Sequence, residues 1–405
     1  MEEEVLMSLE PLLASLLVAL APEFKPYIDE KGMLIVRLQK ALYGLHESAK
    51  LWYGTISKML IEEGFNPNPI EPCVFNKLVN DVQCTICLYV DDLMITCADE
   101  KILDEVINLL ESKYEGAKAS KSKVHSYLGM MFDFSTEEQV KITMEGYIQD
   151  ILKTYDVKGK ANTPALTNLF EVSESPLLDE EQKTKFHSIV AKLLYLAKRV
   201  RPDILTTVSY LATRVTKSTE DDWKKLDRLL RYVNYDPNSG IVLRPGNEDI
   251  HIKAYADASY GIHEDAKSHS GLCIALGSGP IFVKSAKQKI VSKSSTEAEL
   301  ISLSDGCSQI IWSRDFLIAQ GYNLPAATIY QDNTSTIALV ERGKSSSERT
   351  KHINIRYYFI KDRIDSGEIE IKHLPTDMMI ADIFTKPLVG ERFRQLKAKL
   401  LNWYF

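Results

Sequence analysis

The stretch CTICLYVDDLMIT, residues 84–96, sets two adjacent carboxylates, Asp91 and Asp92, between two apolar runs. It reads as two strands with the acidic pair where the chain turns back on itself. Aspartate is common in such turns because its side chain bonds nearby backbone and tolerates unusual dihedrals. On its own, therefore, the pair needs no function. The sharper reading is a metal site, since two carboxylates can share divalent cations that hold phosphates for transfer. The choice between the two depends on what surrounds the stretch.

Working outward, CVFNKLVNDVQCTICLYV (73–90) reads as a strand, a turn at Asn80-Asp81 and a second strand. Upstream, MLIVRL (33–38) is a short strand leading to a helix over ESAKLWYGTISKMLIEEG, which ends at Gly64. NPNPIEP (66–72) is a Pro-rich loop. Downstream, DEKILDEVINLLESKY (99–114) is an amphipathic helix with Ile102, Val106, Leu109 and Leu110 on one side. YLGMMFDFSTEEQVKITM (127–144) reads as a β-hairpin, and residues 145 to about 236 are mainly helical and basic.

The bulk numbers fit this reading. A chain of 405 residues, 45% hydrophobic and 26% charged, predicts two or three domains with real cores. The net charge of −7 argues against overall attraction to nucleic acid, but charge is unevenly spread. Residues 183–231 carry 12 Lys or Arg against 5 Asp or Glu, whereas residues 1–32 carry 2 against 7. A basic middle is compatible with a phosphate-binding face, although a solvated helical surface is its commoner cause. The apolar run PLLASLLVALAP is too short to span a bilayer, and MEEE has the wrong charge for a signal peptide. A cytosolic or nuclear protein without membrane contact is expected. Cys84 and Cys87 form C-x-x-C on a strand, where residues three apart face opposite ways and cannot share one metal. All six cysteines are expected to be buried thiols.

A new pattern begins near residue 248. DIHIKAYADAS (249–259) alternates as a strand, and GLCIALGSGPIFVKSA (271–286) makes two strands around a Gly-rich turn. A helix follows from about 296 to 320, then a strand (ATIYQD, 327–332), a short helix (333–343), a helix (349–367) and a strand (EIEIKHL, 368–374). A closing helix is expected to start near Thr376 with TDMMIADIFTK. The order β-β-β-α-β-α-α-β-α predicts a mixed sheet with flanking helices.

Four acidic residues of this region sit at element edges: Asp257 ending the first strand, Glu299 in the first turn of the long helix, Asp332 ending the next central strand, and Asp382 in the last helix. Each has an ordinary explanation as a turn, cap or surface charge. Glu299 fits a capping box with Thr296, and Glu297 fits one with Ser294. Converging carboxylates repel one another unless cations bind between them, and a two-metal site uses that arrangement to cleave a phosphodiester. Taken together and in this order, the four favour a metal site.

The motifs AYADASY, KSHSG, SSTEAELISL, YQDNTSTIAL, RTKHINIRYYFIKD and ADIFTKPL make residues 248–390 resemble the ribonuclease H domain of copia-type LTR retrotransposon polyproteins. The resemblance implies Asp257, Glu299, Asp332 and Asp382 as metal ligands, with Glu297 second to Glu299. It also implies an accessory role for His373 in proton or product handling. The earlier motifs LQKALYGLHESAKLWY, EPCVFNK, LYVDDLMIT, YLGMMFD, NTP, IVAKLLYLAKRVRPDI and DWKKLDRLLRYVN resemble the palm and thumb of the reverse transcriptase of the same polyproteins. Ala191 departs from the family's usual Gly. By this resemblance Asp91 and Asp92 are metal-binding carboxylates of polymerase chemistry, and YLGM (127–130) is a primer-gripping hairpin.

The polymerase also needs a carboxylate from an earlier strand. Before residue 81 the chain has one Asp, Asp29, in the turn-like IDEKG. The family's upstream Asp segment and most of the fingers are absent, so an N-terminally truncated Pol sequence with a defective polymerase is expected, unless another Pol-derived chain supplies the missing part.

The fold class is α/β (α+β) multidomain: a partial reverse transcriptase palm at 1–130, a helical, basic thumb or connection at 131–247, a ribonuclease H-like domain at 248–390 and a C-terminal tail at 391–405. The implied partners are an RNA–DNA hybrid and primer–template nucleic acid. Lys284, Lys287, Lys289 and Lys293 are candidate backbone contacts, and Mg²⁺ or Mn²⁺ the candidate cofactor for hard carboxylate ligands. Two alternatives are a catalytically inert nucleic-acid-binding or scaffold remnant, and an integrase-like nuclease. A fourth carboxylate and a Glu second in order speak against the latter.

Overall fold

In the computed structural model, which describes residues 6–39, 42, 44–246, 250–342 and 351–401, the chain divides into two units at Gly116/Ala117. The expected palm limit at residue 130 therefore falls inside the second unit. The expected boundary at 247/248 and residues 40, 41, 43, 343–350 and 402–405 lie outside the described residues.

The first unit begins with β1 (Leu6–Leu9), α1 (Pro11–Leu20) and β2 (Leu34–Arg37), with β1 and β2 antiparallel. Among the described residues no helix is long and apolar enough to cross a membrane. Helix α2 (His46–Glu62) stops at Gly64, whose φ of +88° is a left-handed conformation that glycine adopts without strain. Strands β3 (Asn66–Pro67), β4 (Val74–Val79), β5 (Val82–Tyr89) and β6 (Asp92–Cys97) form an antiparallel sheet in that order. Asn80 and Asp81 both have positive φ, as the two-residue β4–β5 turn requires. Alternation along β5 buries Cys84, Ile86 and Leu88 against Ile56 and Leu60 of α2 and against α3 (Glu100–Lys113). On α3 the buried residues are Ile102, Val106, Ile107 and Leu110, so Ile107 takes the place expected for Leu109, which is half-buried. All six cysteines are free, but only Cys84, Cys273 and Cys307 are buried; Cys73, Cys87 and Cys97 are half-buried.

The second unit starts with a meander rather than the single hairpin expected. β7 (Val124–Tyr127), β8 (Met130–Asp133) and β9 (Val140–Thr143) pair successively, with a two-residue turn at Leu128-Gly129. Helices α4 (Glu145–Thr154), α5 (Glu180–Arg199), α6 (Leu205–Ala212) and α7 (Glu220–Tyr235) follow, and β10 (Ile241–Leu243) adds to β9. The second sheet, ordered β13-β12-β11-β14-β15, joins β11 (Ile252–Ser259), β12 (His269–Leu276) and β13 (Gly279–Lys287) antiparallel, then β14 (Ala327–Gln331) and β15 (Ile369–His373) parallel to β11. The 25-residue α8 (Ser295–Ala319), α9 (Thr334–Arg342) and α10 (Lys351–Asp365) complete this fold. Leu300, Leu303, Cys307 and Ile310 of α8 pack on Ala254, Ala256, Leu272 and Ile274 of the sheet.

Two expectations near the C-terminus are corrected. TDMMIADIFTK is not an α-helix but two 3₁₀ turns, Thr376–Met378 and Ile380–Phe384. Pro375 and Pro387 bracket the segment, and proline cannot lie inside a continuing helix. Residues 391–401 are helical where a tail was expected: α11 (Gly390–Leu401) buries Phe393, Leu396 and Leu400 in the same core as Leu193 of α5 and Leu229 of α7. That spacing of three and four residues is helical, and it was present in the sequence.

Candidate metal centre

The sheet of the second unit determines the site. Parallel pairing brings the C-terminal ends of β11 and β14 side by side, so Asp257 near the end of β11 and Asp332 just after β14 face one another. Helix α8 crosses this end and adds Glu299. Ser302, less than one turn further on, donates from Oγ to the Asp257 carbonyl at 2.9 Å and fixes the helix on the strand. One carboxylate oxygen from each of Asp257, Glu299 and Asp332 lies within 4.8 Å of the others. Asp257 is 2% exposed and Glu299 5%.

The choice between Glu297 and Glu299 is made at the α8 N-terminus. Ser294 is the N-cap and accepts from the Glu297 backbone N–H at 3.2 Å, while the Glu297 carboxylate accepts from the Lys293 N–H at 2.7 Å. Glu297 therefore serves the helix end, and Glu299, one half-turn on, faces the acidic group.

Burial pushes the Glu299 carboxyl up to about 9, helped by the negative charges of Asp257 and Asp332 and opposed by an amide hydrogen bond from Gln331. Burial also raises Asp257, to about 6, against the pull of Lys386 and of the Thr385 hydroxyl that donates to it. Three converging carboxylates, of which burial raises Asp257 and Glu299, are a donor set suited to a hard divalent cation.

Asp382 is held differently. Its 3₁₀ turn lies across β12, and the approach depends on Gly271, which pairs with Asp257 in the sheet register. A Cβ at Gly271 would fall 2.6 Å from Thr385 Cγ2 and 3.0 Å from the Ala381 carbonyl. The Asp382 carboxylate accepts from Lys386 Nζ at 2.5 Å and from Arg392 Nη2 at 3.0 Å, outside the three-carboxylate group. Gly271, Gln331, Thr385, Lys386 and Arg392 had no role in the sequence reading. The four-residue spacing of Asp382 and Lys386 was the available signal, while Arg392 belonged to the supposed tail.

The remaining candidates are dispersed. His373 ends β15 beside Gln331, is exposed, and is not part of the acidic group. Lys287 is paired with Asp265 at 2.8 Å, whereas Lys289 and Lys293 are exposed and Lys284 half-buried. In the first unit Asp91 and Asp92 are exposed at the β5–β6 turn, where Tyr89 pairs with Asp92. Val90 has φ +54°, a left-handed conformation that is costly for a β-branched residue, and its carbonyl accepts from Trp52 Nε1. Among the described residues no third carboxylate joins this pair. Asp29 accepts from the N–H groups of Lys31 and Met33 in its turn.

A carboxylate hairpin on an antiparallel sheet, followed by an acidic cluster on a mixed 3-2-1-4-5 sheet, is the layout of a reverse transcriptase joined to a ribonuclease H-like fold. Residues 15–167 match the family described as reverse transcriptase (RNA-dependent DNA polymerase). The chain is homologous over most of its length to Pol polyproteins of copia-type transposons. It is 31% identical over 378 residues to the retrovirus-related Pol polyprotein from transposon RE1 of Arabidopsis thaliana, covering 92% of this chain and 25% of the relative. For transposon TNT 1-94 of Nicotiana tabacum the identity is 27%, covering 91% and 28%. The chain thus spans about a quarter of the length of the curated relatives it matches. Among solved structures, the foamy viral protease-reverse transcriptase in complex with an RNA/DNA hybrid is 12% identical, with a TM-score of 0.49, over 86% of this chain and 40% of that one. A ribonuclease H1 isolated from compost is 16% identical, with a TM-score of 0.27, over 33% of this chain and 92% of that one.

Proposed function

We propose that the second unit hydrolyses the RNA strand of an RNA–DNA hybrid. The observation that carries this reading is the buried group Asp257, Glu299 and Asp332, with one oxygen of each within 4.8 Å. Asp257, Glu299 and Asp332 would hold Mg²⁺ or Mn²⁺, and such an ion supplies Lewis-acid stabilisation of the charge that develops on a cleaved phosphodiester. The sheet and α8 orient the three carboxylates, and burial of Asp257 and Glu299 shields the group from water. Lys284, Lys289 and Lys293 are the proposed contacts to the nucleic-acid backbone, Lys287 being committed to Asp265. An RNA strand is told from DNA by its 2′-hydroxyls.

The Asp91/Asp92 hairpin does not by itself support DNA synthesis, because its two exposed carboxylates have no third partner among the described residues. Polymerisation depends on in-line placement of the primer hydroxyl, and losing a ligand degrades that geometry steeply.

The test is cleavage of a labelled RNA strand in an RNA–DNA hybrid by the whole chain with Mg²⁺, beside Asp332→Asn. Cleavage by the parent and not by the variant is expected. A folded parent that binds the hybrid without cutting it would leave a nucleic-acid-binding remnant. Magnesium-dependent primer extension by the chain alone would overturn the polymerase half of the reading.

A further inference from the structure

The acidic centre has two halves of different charge balance. In the first, Asp257, Glu299 and Asp332 converge, and neither Glu299 nor Asp332 has an ion pair with a lysine or arginine among the described contacts. In the second, Asp257 and Asp382 face one another with Lys386 between them. Its ammonium lies 2.5 Å from Asp382 Oδ1 and 3.6 Å from Asp257 Oδ2.

We infer that Lys386 is a built-in counter-cation that keeps the Asp257–Asp382 half of the centre closed to a second divalent ion. This rests on the metal-centre reading above and adds an order to it: the first cation enters the three-carboxylate half, and a second can enter only when Lys386 withdraws. Lys386 is the movable member. Its side chain is 36% exposed, and lysine is a point charge on a flexible four-carbon stem. Arg392, the other cation on Asp382, is fixed by three acceptors: Asp382 Oδ2 and the carbonyls of Thr376 and Asp377. The Thr385 hydroxyl also donates to Asp257 Oδ2, the same oxygen that Lys386 approaches, so Asp257 keeps one ligand when the ammonium leaves. An ammonium at these distances repels an incoming cation strongly wherever water is thin.

The test is Mn²⁺ binding to the whole chain, followed by calorimetry and by electron paramagnetic resonance, with no substrate present. The parent should bind one Mn²⁺, with any second ion at least about tenfold weaker. Lys386→Met should strengthen the second site by about tenfold or more, and Lys386→Arg should leave it weak. If Lys386→Met does not fold by circular dichroism, Lys386→Gln makes the same neutralisation with a polar group. Two equally tight ions in the parent, or an unchanged second site in the folded neutral variants, would overturn the inference while leaving the centre itself intact. Absence of any bound Mn²⁺ in the folded parent would instead sink the metal-centre reading on which it rests.

Discussion

The two acidic sites of this chain are built in opposite ways. Asp91 and Asp92 are adjacent in sequence, exposed, and carried by one hairpin whose geometry is set within a dozen residues. Asp257, Glu299 and Asp332 come from two strands and a helix, are assembled by sheet pairing over 75 residues, and the first two are buried. Carboxylates gathered from afar must have their repulsion offset in the fold, and here the protein supplies a cation to only one side of the group. Neighbouring carboxylates at a solvated turn need no such provision, and their presence alone says little about chemistry.

The largest expected difference lies in cleavage of an RNA–DNA hybrid. Asp257→Asn or Asp332→Asn should lower the rate by about a thousandfold or more, the scale of several kcal/mol of lost charge stabilisation. Asp91→Asn with Asp92→Asn should leave it unchanged within about twofold. A loss of cleavage in the hairpin variant would break the separation of the two sites.

Gly271→Ala comes next. The added methyl collides with Thr385 and the Ala381 carbonyl, so the turn that carries Asp382 must shift. Overpacking of this kind costs about 1–3 kcal/mol, and thermal unfolding would report it. Asp257 loses the Thr385 hydroxyl in the same movement, so cleavage should fall together with stability. An unaltered melting temperature with normal cleavage would show that the turn does not need its close approach to β12.

A smaller effect concerns protons. The fold raises Glu299 from an ordinary 4.5 to about 9 by burial and by its acidic neighbours. A carboxyl raised in the folded state stabilises when protonated, so its contribution is full below about 4.5 and is lost as pH climbs to about 9. Between about pH 7 and about pH 9 the cation-free chain should therefore lose melting temperature, and Mg²⁺ should restore more of it at the upper end. Glu299→Gln should flatten that slope. His263 and His269, which burial holds at about 4 and about 3, remain neutral over this range and do not contribute.

These tests also separate what was legible in the sequence from what was not. The β4–β5–β6 hairpins, the order of elements along the second sheet's region and the positions of Asp257, Glu299 and Asp332 at element ends follow from local alternation and turn chemistry, whereas the strand order within that sheet does not. The environment of Asp382 was not legible, because TDMMIADIF has a helix-like apolar pattern. Two prolines and the packing of the turn on Gly271 override that pattern, and such packing is a long-range fact. Helix α11 is legible from the spacing of Phe393, Leu396 and Leu400, and only as a helix does it present Arg392 to Asp382. Local signals located the acidic residues; only the assembled sheet distinguishes the side that a lysine neutralises from the side that it does not.

The smallest effect returns to the hairpin. Val90 holds φ +54°, and a β-branched side chain in that region costs about 1–2 kcal/mol relative to a residue free to adopt it. Its 46% exposure offers little apolar burial in return. The Trp52 indole that donates to the Val90 carbonyl bonds backbone, so a substitution at this position keeps that contact. Val90→Gly relieves the strain but gives the unfolded chain more freedom, so the net gain should be about 1 kcal/mol or less, read as a modest rise in the denaturation midpoint. Cleavage by the second unit should not move. A loss of stability would mean that the valine side chain contributes contacts outweighing its backbone strain.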